Sequence, residues 1–403
     1  MTKGVTSDNL LRLIAKPLSF KLLLMHVGID VTSLIYDRGV SRYTHNLIHA
    51  LLRYTNLDIS VYGVSFRRYQ KLVTQVDDLE QTRSFRQRDL RHLPVEMVEK
   101  LWQVGLSPIK KHLQGIDLFH SWDWLQPPDK DLPLISTIHD LAILKFPETA
   151  HPKILKAHQQ SWEKLKKNQA HIITPSQATK KMVMEKLDFP AHQVHVVHEA
   201  LSEKLIQTAN RVNEARFEQL KQKLNLTRPF ILFVGTTEPR KNLERLIQAW
   251  QPLANEVELV IAGEKGWDKL PKKIDHLRFL GKVSDEELVA LYTEAQLLVY
   301  PSLYEGFGLP ILESFYFGTP VVTSNNSGML EVAGNAAELV DPLDITSIRQ
   351  GIETVLHETK EAESIRRQRM VIRGQMFSPK QMALETAKIY RLALNDYEKS
   401  LLS

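Results

Sequence analysis

The chain contains no cysteine, and this absence removes a disulfide framework and thiolate chemistry from consideration. A long apolar run is also missing, since none approaches the roughly 18 residues that a membrane-spanning helix needs. Residues 1–30 lack the uninterrupted apolar core and the small-residue cleavage site of a signal peptide. We therefore expect a cytoplasmic protein that works in a reducing compartment.

Two nucleotide-binding motifs are absent as well. No G-x-G-x-x-G follows a predicted strand and no Walker loop is present, which argues against a dehydrogenase and a P-loop kinase. Asp129 and Asp131 have the D-x-D spacing with which some enzymes hold Mn²⁺ or Mg²⁺. They lie among prolines before a predicted strand, so we interpret them as part of a turn and predict no metal site.

The charge is unevenly distributed along the 403 residues. Residues 1–200 hold 27 Lys and Arg against 20 Asp and Glu, a net charge of +7, whereas the remainder holds 25 against 27, a net charge of −2. A basic first half favours an anionic partner, either phosphate groups or a lipid surface. Residues 1–19 could form a short amphipathic helix that packs on its own domain or contacts a membrane surface. Nucleic acid is not expected, because no helix-turn-helix, zinc-finger or aromatic RNA-binding pattern accompanies the charge.

Short apolar runs alternate with amphipathic helical stretches along the whole chain. Residues 20–29, 59–64, 134–138 and 258–262 are typical of buried strands, and most are followed by a run with apolar residues at helical spacing. This alternation predicts the α/β class, with parallel sheets and crossover helices. Because 403 residues exceed what one hydrophobic core usually serves, we expect two domains.

Two residues of the first half stand where such sheets bind ligands. His139 follows the predicted strand 134–138, at its carboxyl end. Gly39 opens a predicted helix, where bare backbone N–H groups can meet an anion. Two alternatives stay open: His139 could have a structural role, and Gly39 could be present simply because the turn requires a glycine. His192, His195 and His198 predict no metal site, because strand neighbours three apart point to opposite faces.

Residues 300–322, YPSLYEGFGLPILESFYFGTPVV, indicate a strand, a glycine loop, a short helix and a second strand. Pro310 suits the first turn of the helix, where the N–H that it lacks would be unpaired anyway. Gly306 and Gly308 carry no Cβ, so a ligand could approach the backbone N–H groups at the positive end of the helix. The loop is therefore a candidate phosphate site.

Two glutamates flank this loop. Glu313 lies about one helical turn beyond it and could accept hydrogen bonds from paired hydroxyls, such as those of a ribose. Glu305 stands before the loop and could reach a second polyol. A phosphate site with a carboxylate on each side suits a nucleotide sugar. The alternative is an ordinary loop with one solvated and one helix-capping glutamate.

Two adjacent cations, Arg240 and Lys241, follow the predicted strand that ends in Gly235. Arg240 could bind a diphosphate through two parallel hydrogen bonds, and Lys241 could act as a point charge. Cations at a helix N-terminus oppose the helix dipole, so an anionic partner is expected, although a solvated first turn is the alternative.

Taken together, these motifs resemble those of glycosyltransferase family 4, over residues 21–391. The strongest matches are VGTTEPRKNLERLI, LVIAGEKGW, FLGKVSDEELVALY and YPSLYEGFGLPILES, with weaker ones in GVSRYTHNLI, IHDL and HIITPSQATKKM. The resemblance implies the GT-B architecture, in which two Rossmann-like doubly wound domains face a cleft that holds the donor. It also implies a retaining enzyme that needs no metal or other cofactor and uses a nucleoside-diphosphate sugar as co-substrate.

The resemblance assigns catalytic roles to four residues. Arg240 and Lys241 would neutralise the diphosphate leaving group. Glu305 would hold the donor sugar, and His139 would lie beside the sugar that is transferred. No carboxylate is obviously available as a covalent nucleophile, so the same-face substitution that the resemblance to the family implies is expected.

The resemblance also implies a set of donor-binding residues. Glu313 would hold the ribose, the backbone of Phe307 and Gly308 would hold the sugar, and Gly39 would approach the diphosphate from the first domain. The remaining members of the donor-binding set are Gly235, Thr236, Gly306 and Leu309.

Four segments are expected along the chain. Residues 1–200 would form an acceptor-side domain and residues 229–378 a nucleotide-sugar-binding domain. Residues 201–228 look polar and helical, without the apolar stripe of a core helix, and are interpreted as the connection. Residues 379–403 would form a last helix that packs back on the first domain.

The resemblance implies transfer of a hexose to a glycan or lipid-linked acceptor in cell-surface polysaccharide or lipopolysaccharide synthesis. GDP-mannose is favoured as the donor, with UDP-glucose next, and peripheral contact with an anionic membrane is expected. A cluster of cations in residues 83–111 is the candidate for docking a phosphorylated or lipid-linked acceptor, or else it is a solvated face. The members of this basic cluster are Arg83, Arg86, Arg88, Arg91, Lys110 and Lys111.

Two other functional classes remain open. One is a different GT-B enzyme, such as a nucleotide-sugar epimerase or a phosphorylase, although no clear lysine motif for a pyridoxal cofactor is present. The other is a catalytically silent homologue that serves as a scaffold, against which the intact Glu305, Glu313, Arg240 and Lys241 argue.

Overall fold

The computed structural model describes residues 25–36, 39–149, 151–266 and 274–402. The predicted helix within residues 1–19 and the first residues of the strand predicted from residue 20 lie outside these ranges. Within them, strands alternate with helices, and every strand pairing is parallel. The predicted α/β class is confirmed.

The first domain is built on a seven-stranded sheet in the order β3-β2-β1-β4-β5-β6-β7. Its central strands are buried along their whole length, because helices cover both faces of the parallel sheet. The strands are β1 (His26–Asp30), β2 (Asp58–Val64), β3 (Gln87–Arg91), β4 (Leu118–Trp122), β5 (Leu134–Thr137), β6 (His171–Thr174) and β7 (Val194–Val196).

The second domain is built on a six-stranded sheet in the order β10-β9-β8-β11-β12-β13. Here too the central strands are almost wholly buried. The strands are β8 (Phe230–Val234), β9 (Glu258–Ala262), β10 (Leu277–Gly281), β11 (Leu297–Tyr300), β12 (Val321–Ser324) and β13 (Glu338–Val340).

Fifteen α-helices connect and cover these strands within the described ranges. Those that precede β8 are α1 (Gly39–Tyr54), α2 (Tyr69–Glu80), α3 (Val95–Gln103), α4 (Ala142–Lys145), α5 (Pro152–Lys167), α6 (Gln177–Leu187), α7 (Glu203–Arg211) and α8 (Glu214–Leu224). Those that follow β8 are α9 (Leu243–Trp250), α10 (Asp285–Glu294), α11 (Leu309–Phe317), α12 (Ser327–Ala333), α13 (Ile345–Leu356), α14 (Lys360–Gln375) and α15 (Pro379–Ser400).

Each sheet reverses its strand order once. The reversal lies between β1 and β4 in the first sheet and between β8 and β11 in the second. Open α/β sheets bind ligands outside the carboxyl ends of the strands at such a point. The two reversals therefore indicate where the two domains would share a ligand.

The segment between the two sheets buries more apolar side chains than the sequence indicates. It forms two helices, α7 and α8, and buries Leu205, Leu220 and Leu224 in the core of the second domain. The expectation that this segment lacks an apolar stripe is wrong. Leu220 and Leu224 are one turn apart and share one face of α8, so two leucines suffice to dock that helix.

The last helix, α15, returns to the first domain. It packs along α1 and buries Met382, Ala383 and Ala387 in the first-domain core. Its Tyr390 hydroxyl lies 2.7 Å from Nδ1 of His120 in β4. The chain therefore crosses between the domains both before β8 and after α14.

Candidate active site

A cavity of about 750 Å³ lies between the two domains, at the carboxyl ends of their strands. Its wall includes every residue predicted to be catalytic or donor-binding except Glu313. From the first domain these are Gly39 and His139, and from the second they are Gly235, Thr236, Arg240, Lys241, Glu305, Gly306, Phe307, Gly308 and Leu309.

A second depression, of about 790 Å³, lies on the outer surface of the second domain. It is lined by α14 alone and has neither a strand end nor a glycine loop in its wall. Ligand sites are usually concave and combine an enclosed space with a few convergent polar groups. The interdomain cavity has both properties, so we place the candidate site there.

Glu305 is the centre of a buried charge cluster at the base of the cavity. Its Oε1 lies 2.6 Å from Nζ of Lys241 and its Oε2 lies 2.8 Å from Nη1 of Arg240. Lys241 also donates to the Tyr300 hydroxyl at 2.5 Å, and Nε of Arg240 lies 3.0 Å from Glu238. The two cations that the motif predicts are therefore already paired with two carboxylates.

Burial and charge act in opposite directions on this cluster. Burial alone would raise the pKa of Glu305, but Arg240 and Lys241 outweigh it and lower that pKa to about 2. Burial lowers the pKa of Lys241, against the opposing effect of Glu305. At neutral pH Glu305 is ionised and fixes both cations in place.

The glycine loop brings the two domains into contact. A Cβ built on Gly306 would overlap the carbonyl oxygen of His139 and lie 3.1 Å from Cβ of Asp140. Gly308 has φ of +122° and is the N-cap of α11, so the turn itself requires glycine there. The Phe307 ring packs edge-on against Phe377 and is buried, which leaves only the Phe307 backbone for a ligand.

Glu313 lies behind the cavity wall and is not open to it. Its Oε1 accepts from Arg42 Nη1 at 2.9 Å and its Oε2 accepts from the Tyr292 hydroxyl at 2.7 Å. Arg42 comes from α1 of the first domain and also lies 3.4 Å from Asp285 of α10. For Glu313 to bind a ribose, as the resemblance implies, Arg42 has to move.

His139 lies between two aromatic rings of the first domain. Tyr43 meets it edge-on, with ring centroids 4.5 Å apart, and Trp122 is stacked near it at 6.0 Å. Its Nδ1 lies 3.5 Å from Oε1 of Glu199. Nε2 is buried without a hydrogen-bond partner among the described residues. The ring is therefore held by packing and by a single carboxylate.

A second carboxylate–histidine pair lies on the same wall. Asp123, directly after β4, places Oδ2 3.3 Å from Nδ1 of His158 in α5. Burial would lower the pKa of His158, but Asp123, with help from Asp140, outweighs it and raises that pKa. Asp123, His158 and Glu199 are not predicted as site residues from the sequence. Asp123 and Glu199 each follow a strand, and that position is the signal that could have found them.

The basic cluster of residues 83–111 is mostly neutralised within its own domain. Arg83 donates to backbone carbonyls, and acidic side chains face all the others except Lys111. The contacts run from Arg83 to Thr55 and Leu57, Arg86 to Asp58, Arg88 to Asp77 and Glu80, Arg91 to Asp89, and Lys110 to Asp131. None of these cations lines the interdomain cavity. The interpretation as a solvated, internally paired face fits this arrangement better than an acceptor-docking site.

The sequence patterns with metal-ligand spacing have structural partners. Nε2 of His195 lies 2.9 Å from Nδ1 of His171, and Asp129 accepts the backbone N–H groups of Ile109 and Lys110. Among the described residues, no group of three or more His, Asp or Glu side chains is arranged to hold a metal ion.

Two family models match the chain in consecutive halves. The model of "Glycosyltransferase Family 4" matches residues 38–202, and that of "Glycosyl transferases group 1" matches residues 215–370. The first range covers β2 to β7 and α1 to α6 of the first domain, and the second covers α8 and most of the second domain.

Two curated relatives are both named as mannosyltransferases of Escherichia coli. The O-antigen chain mannosyltransferase B is 33% identical over 272 residues, which cover 64% of this chain and 70% of the relative. The serotype-specific mannosyltransferase WbdA is 32% identical over 199 residues, which cover 46% of this chain and 24% of that longer protein.

Solved structures share the same fold over nearly the whole chain. Anabaena Alr3699/HepE, crystallised in complex with UDP-glucose, superposes with a TM-score of 0.67 at 18% identity, over 91% of this chain and 99% of that one. At this identity the likeness shows the fold alone, and it confirms the predicted arrangement of two doubly wound domains.

Proposed function

The chain is a glycosyltransferase that belongs to family 4, and from this premise we propose that it transfers mannose from GDP-mannose to a glycan or lipid-linked acceptor in cell-surface polysaccharide synthesis. The names of the two Escherichia coli relatives support the choice of sugar. The complex of Anabaena Alr3699/HepE with UDP-glucose supports a nucleotide sugar as the class of donor and makes UDP-glucose the second choice.

The observation that carries the proposal is the charge cluster around Glu305 beneath the glycine loop. Lys241 and Arg240 lie side by side, and each contacts one oxygen of the same buried carboxylate. Their positions are fixed before any ligand binds, so no reorganisation is needed when negative charge develops beside them. The backbone of Gly306–Gly308 lines the cavity at the N-terminus of α11, the positive end of a helix that favours an anion such as a diphosphate.

The proposed reaction exchanges one bond at the anomeric carbon for another. The bond between that carbon and the diphosphate oxygen breaks, its electron pair stays on the diphosphate, and the acceptor hydroxyl oxygen forms the new bond. The acceptor proton leaves toward the departing phosphate. With Arg240 and Lys241 at the leaving group and no covalent nucleophile assigned, we propose that the new bond forms on the same face of the sugar, without a metal ion.

A panel of nucleotide sugars tests this proposal. GDP-mannose is expected to raise the unfolding temperature more than GDP-glucose, UDP-glucose or ADP-glucose does, and to give an α-linked mannosyl product with a mannose-terminated acceptor. The anomeric proton signals of the product report the linkage. Conversion of the donor without acceptor into an epimeric nucleotide sugar, or stabilisation by none of the four, would contradict the proposal.

We predict that Glu313→Gln weakens binding of GDP and of GDP-mannose to a similar degree, by about 10-fold or more, because hydrogen bonds to a charged group contribute most to this contact. Both ligands carry the ribose whose hydroxyls would donate to this carboxylate, so both should be affected alike. Calorimetric titration measures both affinities, and Glu286→Gln, on the exposed surface of α10, is the control. Unchanged affinity for free GDP would show that Glu313 serves only as the partner of Arg42 and Tyr292.

We also propose peripheral contact with an anionic membrane, supported by the net charge of +7 in residues 1–200. No helix within the described ranges is long and apolar enough to cross a bilayer. Since the basic cluster is internally paired, the attraction would come from net charge and fall steeply with salt, as screening acts over about 10 Å at 0.1 M. Sedimentation with anionic liposomes at rising salt measures it, and equal binding to neutral liposomes at high salt would contradict it.

A further inference from the structure

The first-domain wall of the cavity carries polar groups that the donor site does not use. Three strands of the first sheet end close to an acidic residue: Asp123 follows β4, Asp140 lies shortly after β5 and Glu199 lies shortly after β7. All three line the interdomain cavity, together with the imidazoles of His139 and His158. The opposite wall, from the second domain, holds the charge cluster around Glu305.

Asp123 has unused hydrogen-bonding capacity. Its side chain is only 14% exposed, and within the described part of the chain His158 is its one charged contact, at 3.3 Å. That contact has the distance of an ion pair, and within the described ranges Nδ1 of His158 has no partner in hydrogen-bond geometry. A carboxylate can accept about four hydrogen bonds, so a largely buried one on a cavity wall is suited to hydroxyl donors.

A buried indole next to this pair also lacks a partner. Trp162, one turn along α5 from His158, is 2% exposed, and its Nε1 has no hydrogen-bond partner among the described residues. Its ring centroid lies 5.5 Å from that of His158, at an interplanar angle of 50°. Trp162 therefore packs behind the cavity wall and holds the His158 ring in place.

The balance of charge on this wall disfavours an anion. Apart from Arg240 and Lys241 at the proposed leaving-group site, the Lys and Arg side chains that line the cavity each lie near a carboxylate: Arg42 near Glu313, Lys204 near Asp78 and Lys282 near Glu264. Among the described residues, the ion-pair partners of Asp123 and Glu199 are the imidazoles of His158 and His139. A phosphate placed against these carboxylates would meet like charge in a partly desolvated space, which is costly. An uncharged polyol would donate its hydroxyls to the same oxygens.

We propose that Asp123 and His158 form an acceptor subsite, which binds hydroxyl groups of an uncharged sugar at the accepting end of the glycan and disfavours a sugar that carries a phosphate there. This proposal rests on the proposed glycosyltransfer, since it names the class of acceptor for the same cavity. Asp123 and His158 are positioning residues for the acceptor, and neither contributes to nucleotide binding.

Direct binding tests the subsite independently of turnover. Calorimetric titration of mannobiose onto the full-length enzyme is expected to give an affinity that Asp123→Asn weakens by about 10- to 100-fold, because a charged acceptor of hydrogen bonds is removed. Asp131→Asn is the matched control, since Asp131 is exposed and pairs with Lys110 away from the cavity. Mannobiose 6-phosphate is expected to bind the wild-type enzyme more weakly than mannobiose, and Asp123→Asn should narrow that difference.

Kinetics and nucleotide binding separate this inference from the proposed function. Asp123→Asn and His158→Gln should raise KM for the acceptor and leave the affinity for GDP unchanged, and Asp123→Glu should recover part of the loss. Failure of GDP-mannose to serve as donor would overturn the proposed donor without affecting the mannobiose titration. If Asp123→Asn binds mannobiose as well as Asp131→Asn does, or the phosphorylated disaccharide binds as tightly as the neutral one, the subsite is wrong.

Discussion

Lys241→Met is expected to lower kcat by about 10²–10³-fold, the range found when a preorganised charge-stabilising group is removed. Lys241 is 7% exposed and is held by Glu305 and Tyr300, so its ammonium group cannot be replaced by water without rearrangement. Its charge matters most when the bond to the diphosphate breaks. The loss should therefore appear mainly in kcat and much less in KM for the donor.

The choice of methionine keeps the aliphatic stem of Lys241 and limits the damage to packing. Glu305 retains Arg240 at 2.8 Å in this variant, so it is not left as an unpaired buried charge. Lys204→Met is the matched control: Lys204 also lines the cavity, but its side chain is 49% exposed in a surface ion pair with Asp78. Steady-state kinetics and thermal unfolding of both variants test this prediction. A Lys241→Met enzyme with the kcat of the control would place the leaving group elsewhere.

The parts of the site that the sequence predicts are local in the chain. The run from Tyr300 to Glu313 holds a strand end, a turn and a helix start in one short stretch, so the sequence pattern by itself specifies the loop. Arg240 and Lys241 are adjacent and follow a strand, which places them at the carboxyl edge of a sheet without any knowledge of the tertiary structure. The alternation of strands and helices could be predicted for the same reason, because each element is indicated by a short periodic pattern.

The partners of these residues could not be predicted in this way. Arg42 meets Glu313 across the two domains, and the two are 271 residues apart in the chain. Tyr292 reaches the same carboxylate from α10, and Asp123 reaches His158 through the approach of α5 to β4. Such pairs depend on how elements pack, for which a single sequence carries no periodic signal.

The ion-pair partners of the basic cluster could not be predicted from the sequence either. A run rich in arginine is conspicuous in the sequence, whereas the acidic partners are spread over neighbouring elements. Arg86 pairs with Asp58 at the start of β2, and Arg88 pairs with Asp77 and Glu80 on α2. Parallel strands and their crossover helices bring these together, so the net charge of a segment overstates what its surface presents to a ligand.

Gly306→Ala is expected to lower kcat/KM by about 10²-fold or more, because a shift of roughly 1 Å in the reacting groups has a cost of that order. The three atoms nearest to the added methyl group belong to His139 and Asp140 of the first domain. The clash can be relieved only if the second domain moves away from the first at this point. That movement separates the wall with Asp123 and His139 from the charge cluster around Glu305, while each wall stays intact.

This geometry predicts an unusual combination of properties for the Gly306→Ala enzyme. Affinity for GDP should be nearly unchanged, because the nucleotide half of the donor is expected on the second domain, and the unfolding temperature should change little, because both cores are untouched. Gly374→Ala is the matched control: no atom outside its own helix lies within 4 Å of its added Cβ, and alanine favours the helical conformation of α14. Both variants are compared by calorimetry, thermal unfolding, kinetics and small-angle scattering. A Gly306→Ala enzyme with wild-type turnover would mean that the contact between Gly306 and His139 is not part of the reactive arrangement. The acceptor and donor walls would then have to meet in a different arrangement of the two domains.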